Sequence, residues 1–155
     1  MAFSVAVTVL GAEELNRKFQ GLSEKLQGSL IKRALVKAAE PIRKEARDTT
    51  PIAYKVVQVK RKGKPSVYYQ PGNLKRTIKI FRGKNKKWLN VQVGASTKGK
   101  LDGFYASFVH DGHVTRGGGQ TRSNPWLKKA GDSKRNEAVV IFESEFKRIV
   151  ENNFR

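Results

Sequence analysis

The sequence predicts an α+β fold: a small antiparallel sheet packed against a long N-terminal helix and a C-terminal helix, with a basic hairpin or loop excursion. Three observations carry that expectation. Apolar residues recur at steps of three and four from Leu15 to Ile42 and again from Ala138 to Val150, which marks two amphipathic helices. From Leu74 to Ala95 they alternate instead, as in half-buried strands. The 155 residues suffice for one domain with a modest core, expected over 1–155.

The elements follow in order. Phe3, Val5, Val7 and Val9 alternate with Ser4, Ala6 and Thr8, so the first ten residues read as a strand and not as a signal peptide. From Ala12 to Asp48 a stripe of Leu15, Phe19, Leu22, Leu26, Leu30, Ala34, Ala38 and Ile42 defines one long helix. Glu13 and Glu14 suit its N-terminus, Arg43, Lys44 and Arg47 its C-terminus, and Pro51 ends it. Such a helix would extend about 55 Å if straight. A break is expected at Pro41, which removes an amide donor and crowds the carbonyl of Lys37, with Gly28 as a second weak point.

Residues 55–69 form the basic excursion, in which Val56, Val57 and Val59 could pair with Val67, Tyr68 and Tyr69 around Lys60-Arg61-Lys62-Gly63-Lys64-Pro65. A hairpin and a disordered loop are both open there. After the turn signal Pro71-Gly72-Asn73, Leu74–Arg82 and Trp88–Ala95 read as two strands of a hairpin whose apolar face the long helix covers. Phe104–His110 is a short helix or strand ended by Asp111-Gly112. The stretch 114–124, with Gly117-Gly118-Gly119, reads as a flexible loop. Asp132 or Ser133 can cap the final helix, whose stripe is Ala138, Ile141, Phe142, Phe146, Ile149 and Val150.

The formal charge is +19, and it is unevenly placed. Between Asp48 and Asp102 there are fourteen lysines and arginines and no acidic residue, so this third of the chain carries +14 of the total. Charge runs usually just solvate a surface, but this asymmetry exceeds what solubility requires and points to an anionic partner. The candidate DNA- or anion-facing residues are Lys60, Arg61, Lys62, Lys64, Lys75, Arg76, Lys79, Arg82, Lys84, Lys86 and Lys87. Aromatic residues interleave with them at Tyr54, Tyr68, Tyr69, Phe81 and Trp88, and such rings either stack on bases or pack a hairpin. Arg116, Gly117, Gly118, Gly119 and Arg122 form a candidate docking loop.

Chemistry-bearing patterns are sparse. Cysteine is absent, so disulfides and thiolate chemistry are excluded. His110-Asp111-Gly112-His113 is the one cluster with metal-ligand types, but no third histidine and no cysteine exists to complete a closed zinc site. The triple glycine lacks the spacing and the Gly-Lys-Ser/Thr ending of a nucleotide-binding loop. No nucleophile motif is recognisable, and no stretch approaches the ~18 apolar residues of a membrane span. The expectation is a protein without enzyme activity, metal, cofactor or membrane contact.

The order of landmarks carries one further reading. An N-terminal strand, Gly11 with an acidic helix start, a helix ending near Thr50-Pro51, then Pro71 to Ile78, Tyr105 to Gly112, Asn124-Pro125-Trp126-Leu127 and a C-terminal helix together resemble the tail-component family of long-tailed bacteriophages, typified by the neck protein of Hong Kong phage ninety-seven. The family often has Glu where His110 stands and Thr where His113 stands, and the segment from Lys55 to Tyr69 varies, so these positions inherit no role. The resemblance implies a structural virion protein of the head–tail junction, a tail-completion component assembled as a homo-oligomeric ring around the DNA exit channel. Its implied partners are connector or head-closure proteins, tail-terminator or tail-tube proteins, and double-stranded DNA in the lumen. During assembly it would reside in the host cytoplasm. A stand-alone basic nucleic-acid-binding module, a tail-terminator ring and a small enzyme centred on His110 and Asp111 are the rival readings.

Overall fold

The computed structural model describes residues 20, 24–59, 66–83, 89–97, 103–115 and 117–153. The expected N-terminal strand and the first turns of the long helix lie outside the described residues. The fold is α+β, with two long helices and small antiparallel two-stranded sheets. Its residues fall into two compact units, one within Met1–Ile42, Ile80–Val93 and Ser133–Arg155, the other within Arg43–Lys79 and Gly94–Asp132.

The first unit is built on α1 (Glu24–Asp48), followed in chain order by the hairpin β1 (Val57–Val59) and β2 (Val67–Tyr69), the short α2 (Asn73–Thr77), β3 (Ile78–Arg82), β4 (Val91–Ala95), α3 (Ala106–Asp111), β5 (His113–Val114), β6 (Gln120–Thr121) and α4 (Trp126–Asn153). Of these, the first unit takes α1 up to Ile42, the end of β3, the start of β4 and α4 from Ser133. Its core joins Leu30 and Ala34 of α1 to Ile149 of α4, with Phe142 and Phe146 packed against them. Those two rings are one helical turn apart and stack nearly parallel, 5.8 Å between centroids. The predicted stripe is therefore real at Leu30, Ala34 and Ala38, while Leu26 stays 40% exposed. Strand β3 pairs with β4, and the amide of Gly83 donates to the carbonyl of Asn90 at 2.9 Å to close that hairpin.

Three expectations need correction. Helix α1 runs unbroken through Pro41 for 25 residues. It ends where expected: the amide and hydroxyl of Thr49 both donate to the Glu45 carbonyl, and the buried Thr50 hydroxyl donates to that of Ala46. Residues 74–77 are helical and not the start of a strand. Gly72 takes a left-handed φ of 75°, and the bonds Asn73 N–H to Gln70 O and Arg76 N–H to Gly72 O wind one turn that buries Asn73, Leu74 and Thr77. Helix α4 begins at Trp126, well before Asp132, because the Pro125 carbonyl accepts from Lys129 N–H at 3.0 Å and Trp126 and Ala130 are buried one turn apart. Gly131 costs such a helix only about 1 kcal/mol, too little to stop it.

In the second unit β1 and β2 pair antiparallel, Val57 with Tyr69, Gln58 with Tyr68 and Val59 with Val67. The open alternatives for 55–69 thus resolve to a hairpin. Phe104–His110 resolves to α3, whose rings form a chain from Tyr69 through Phe104, Tyr105 and Phe108 to His113, with centroid separations of 5.2 to 6.2 Å. Within 114–124 the backbone makes a second small hairpin, His113 opposite Thr121 and Val114 opposite Gln120.

Candidate anion-facing surface

The basic residues divide into those held by neighbours and those left in solvent. Lys75 is half-buried and its Nζ lies 3.2 Å from Asp48 Oδ1, so it ties α2 to the end of α1. Its charge is partly answered inside the protein. Arg76 on α2, Lys79 and Arg82 on β3, and Lys55 before β1 are exposed. Lys79 alternates with the fully buried Ile78, as a strand with one wet face requires. Lys60, Arg61, Lys62, Lys64, Lys84, Lys86, Lys87 and Arg116 lie outside the described residues.

The candidate docking loop is a built turn. Thr115 donates to the Gly119 carbonyl through both its amide, at 2.6 Å, and its hydroxyl, at 2.9 Å. Gly118 N–H returns a bond to Thr115 O at 3.0 Å, and its φ of 81° is one that glycine adopts freely. Gly117, Gly118, Gly119 and Arg122 are all exposed.

The two histidines serve this hairpin. His110 Nδ1 lies 2.7 Å from Asp111 Oδ1, and Ser123 Oγ donates to the His110 carbonyl. His113 Nδ1 faces the Phe108 carbonyl at 3.3 Å while Nε2 faces Thr121 Oγ1 at 3.4 Å. Gly112 sits between them with φ 76° and ψ 169°. Among the described residues no three His, Asp or Glu side chains converge as a metal-ligand set.

Beneath the exposed residues lies a polar core that the sequence did not announce. Asn73 Nδ2 donates to the Tyr105 hydroxyl at 3.2 Å, and Thr77 Oγ1 donates to Leu74 O at 2.7 Å. Ser96 N–H reaches Thr77 O, and Gly103 N–H reaches Ser96 O, at 2.9 and 2.8 Å. Burial pushes the Tyr105 phenol above its ordinary pKa, against the lowering effect of the Asn73 bond. This network holds α2 and the segment before α3 so that Arg76 and Lys79 emerge from fixed backbone. A Pro-Gly-Asn turn was the available signal for it, but nothing in the spacing reveals that Asn73 finds Tyr105.

The arrangement sets exposed cations on a scaffold of two long helices and small two-stranded sheets. The family described as "Bacteriophage HK97-gp10, putative tail-component" matches residues 13–112, and the chain belongs to it. No curated protein and no solved structure matches the chain significantly. The protein is therefore a structural component of a bacteriophage tail, and so of the virion. No helix among the described residues is long and apolar enough to cross a membrane.

Proposed function

We propose that this chain is a tail-completion protein of the phage neck: a single joining domain that assembles as a homo-oligomeric ring between the DNA-filled head and the tail. The observation that carries the reading is the family match over 13–112, which contains the acid-free basic third of the chain. A cyclic ring repeats every exposed cation around its axis, so a few inward lysines per subunit give a strongly positive lumen suited to passing DNA. The residues assigned to that lumen are those of the basic third, from Lys60 to Lys87, with Arg76, Lys79 and Arg82 already exposed. The turn around Gly117–Gly119 is assigned to docking on an adjoining ring, of connector or head-closure protein on one side and tail-terminator or tail-tube protein on the other. No catalytic role is assigned.

The test is a phage lacking this protein. Filled heads and complete tails that remain unjoined, and that join when purified protein is added, support the reading. Normal joined virions without it would overturn it. Tails of uncontrolled length in the same lysate would instead favour the terminator ring. The +19 charge also favours a stand-alone nucleic-acid module, which predicts a monomer that coats DNA and is released by salt.

A further inference from the structure

Helix α4 is seated at two places with an unsupported stretch between them. Trp126 and Ala130 are each 2% exposed at its start, and burial returns at Ala138, Ile149 and Val150. From Gly131 to Glu137 no side chain is buried. Gly131, Asp132, Ser133 and Asn136 in that stretch are all weak helix formers, the last three because their side chains compete for backbone groups. Gly131 answers no local demand for glycine: a Cβ there would meet nothing within 4 Å, and its φ is not positive. Its remaining effect is to loosen the helix. The first seat has a weakness of its own. Trp126 Nε1 is buried and finds no hydrogen-bond partner among the described residues, while the indole and the His110 ring meet nearly perpendicular, 6.4 Å between centroids. A donor stripped of water without a replacement acceptor weakens whatever buries it. The indole is thus held by packing alone.

We infer that α4 exchanges with a second state in which the helix starts at Ser133, Asp132 is its N-cap and the segment from Trp126 to Gly131 is released. The alternative start is already written in the sequence, since Asp is among the best N-caps and its charge suits the positive end of a helix. In the shorter helix the Asp132 carboxylate accepts from the amide of Lys134 or Arg135, and its backbone carbonyl still accepts from that of Asn136. The Lys134–Glu137 pair, at 2.9 Å, lies beyond the break and survives in both states. Opening therefore gives up the first turns of α4, returns the indole N–H to water and leaves the core of Leu30, Ala34 and Ile149 in place. The released segment follows directly on the β5–β6 hairpin, which stays tied to α3 through Asn124 N–H to Val109 O at 3.3 Å. The inference does not depend on the neck reading.

The test is native-state hydrogen exchange of the full chain, followed amide by amide by NMR. The amides of 130–135 should share one opening and exchange at least about tenfold faster than those of 141–150, with protection returning sharply at Asn136. Gly131→Ala should slow that opening about fivefold, because it favours the continuous helix. Asp132→Ala should slow it about fivefold or more, because it also removes the cap of the shorter helix. Asn136 is helical in both states, so Asn136→Ala should leave the exchange of 130–135 unchanged.

Protection that rises gradually along α4, or slowing by Asn136→Ala equal to that by Asp132→Ala, would overturn the inference in favour of simple fraying from the helix end. Uniform protection from 130 to 150 would overturn it in favour of one continuous helix. An opening that Gly131→Ala does not slow would also overturn it.

Discussion

Asn73 hands a hydrogen bond from Nδ2 to the hydroxyl of Tyr105, 3.2 Å away and 32 residues later in the chain. Asn73 is 5% exposed, so the bond is made where water cannot easily replace it. It links the turn that starts α2 to the residue before α3 at the ring chain begun by Tyr69. Replacing Tyr105 by Phe keeps the ring packing and removes the acceptor, and should destabilise the protein by about 1–3 kcal/mol in urea unfolding. Asn73→Ala should cost a similar amount, and the double variant less than the sum, since both remove one interaction. Additive losses would mean that the two residues act separately.

The same phenol makes stability fall at high pH. Burial raises its pKa in the folded state above the ordinary value near 10, so the unfolded chain gives up this proton first. The contribution is fully present below the unfolded value and is lost as pH rises from it through the folded one. Melting temperatures of wild type and Tyr105→Phe should therefore converge as pH climbs above about 10. Parallel curves over that range would show that Tyr105 titrates as it does in water.

The legible parts of this fold are those set by local pattern. Leu30, Ala34 and Ile149 announced themselves by helical spacing, because a helix that must bury one stripe leaves that mark. Thr49, Thr50 and Pro51 gave the end of α1 for the same reason. Alternation misled at Leu74–Thr77, since Leu74, Arg76 and Ile78 satisfy a strand pattern although Gly72 turns the backbone into a helix first. Asn73 and Tyr105 could not be paired in advance, as partners distant in sequence leave no periodicity. Among the candidate cations, exposure at Arg76, Lys79 and Arg82 followed from charge, but the Lys75–Asp48 pair depends on how α2 meets the end of α1.

Among the described residues, Gly112 is a position where an added side chain would meet both backbone strain and a backbone neighbour. Its φ of 76° with ψ of 169° lies in a region open essentially to glycine, and a Cβ there would come 2.5 Å from Thr121 O and 3.0 Å from Ser123 N. The β5–β6 hairpin would have to move away from α3. Gly112→Ala should lower stability by about 2 kcal/mol or more, through strain and displacement together. Proteolysis should then cut first within 113–124, which limited digestion followed by mass spectrometry would locate. An unchanged digestion pattern would sink this account.

Glu145 gives the opposite pH response from Tyr105. Arg148 bonds its carboxylate at 2.8 Å, and with Lys37 and Arg33 on α1 it holds the pKa below the ordinary carboxylate value. A depressed folded pKa means that the stabilisation is complete above the unfolded value and is lost as pH falls through the folded one. The pair is solvent-exposed, so its effect is small and salt should weaken it. Glu145→Gln should flatten the decline in melting temperature below pH about 4.5, with little change in melting temperature near neutrality. A steeper acid decline in the variant would contradict this assignment.

Pro41 gives the clearest test of what holds α1 together. A proline there supplies no amide to the Lys37 carbonyl and presses its ring against it, which normally costs a helix interior about 3 kcal/mol relative to alanine. Yet α1 continues from Glu24 to Asp48. The residues that offset this penalty are the small buried ones on either side, Ala34, Ala38 and Ala39 before it and Ala46 after it, whose close packing fixes the helix whatever its local propensity. Pro41→Ala should then raise stability by about 1–3 kcal/mol, because it restores one backbone bond without disturbing those alanines. Chemical denaturation of the variant would read this directly. A loss of stability would mean that the bend a proline imposes is itself part of how the alanines pack, and an Ala38→Val change, which crowds that same stripe, should then be tolerated better in the Pro41→Ala background than in the wild type.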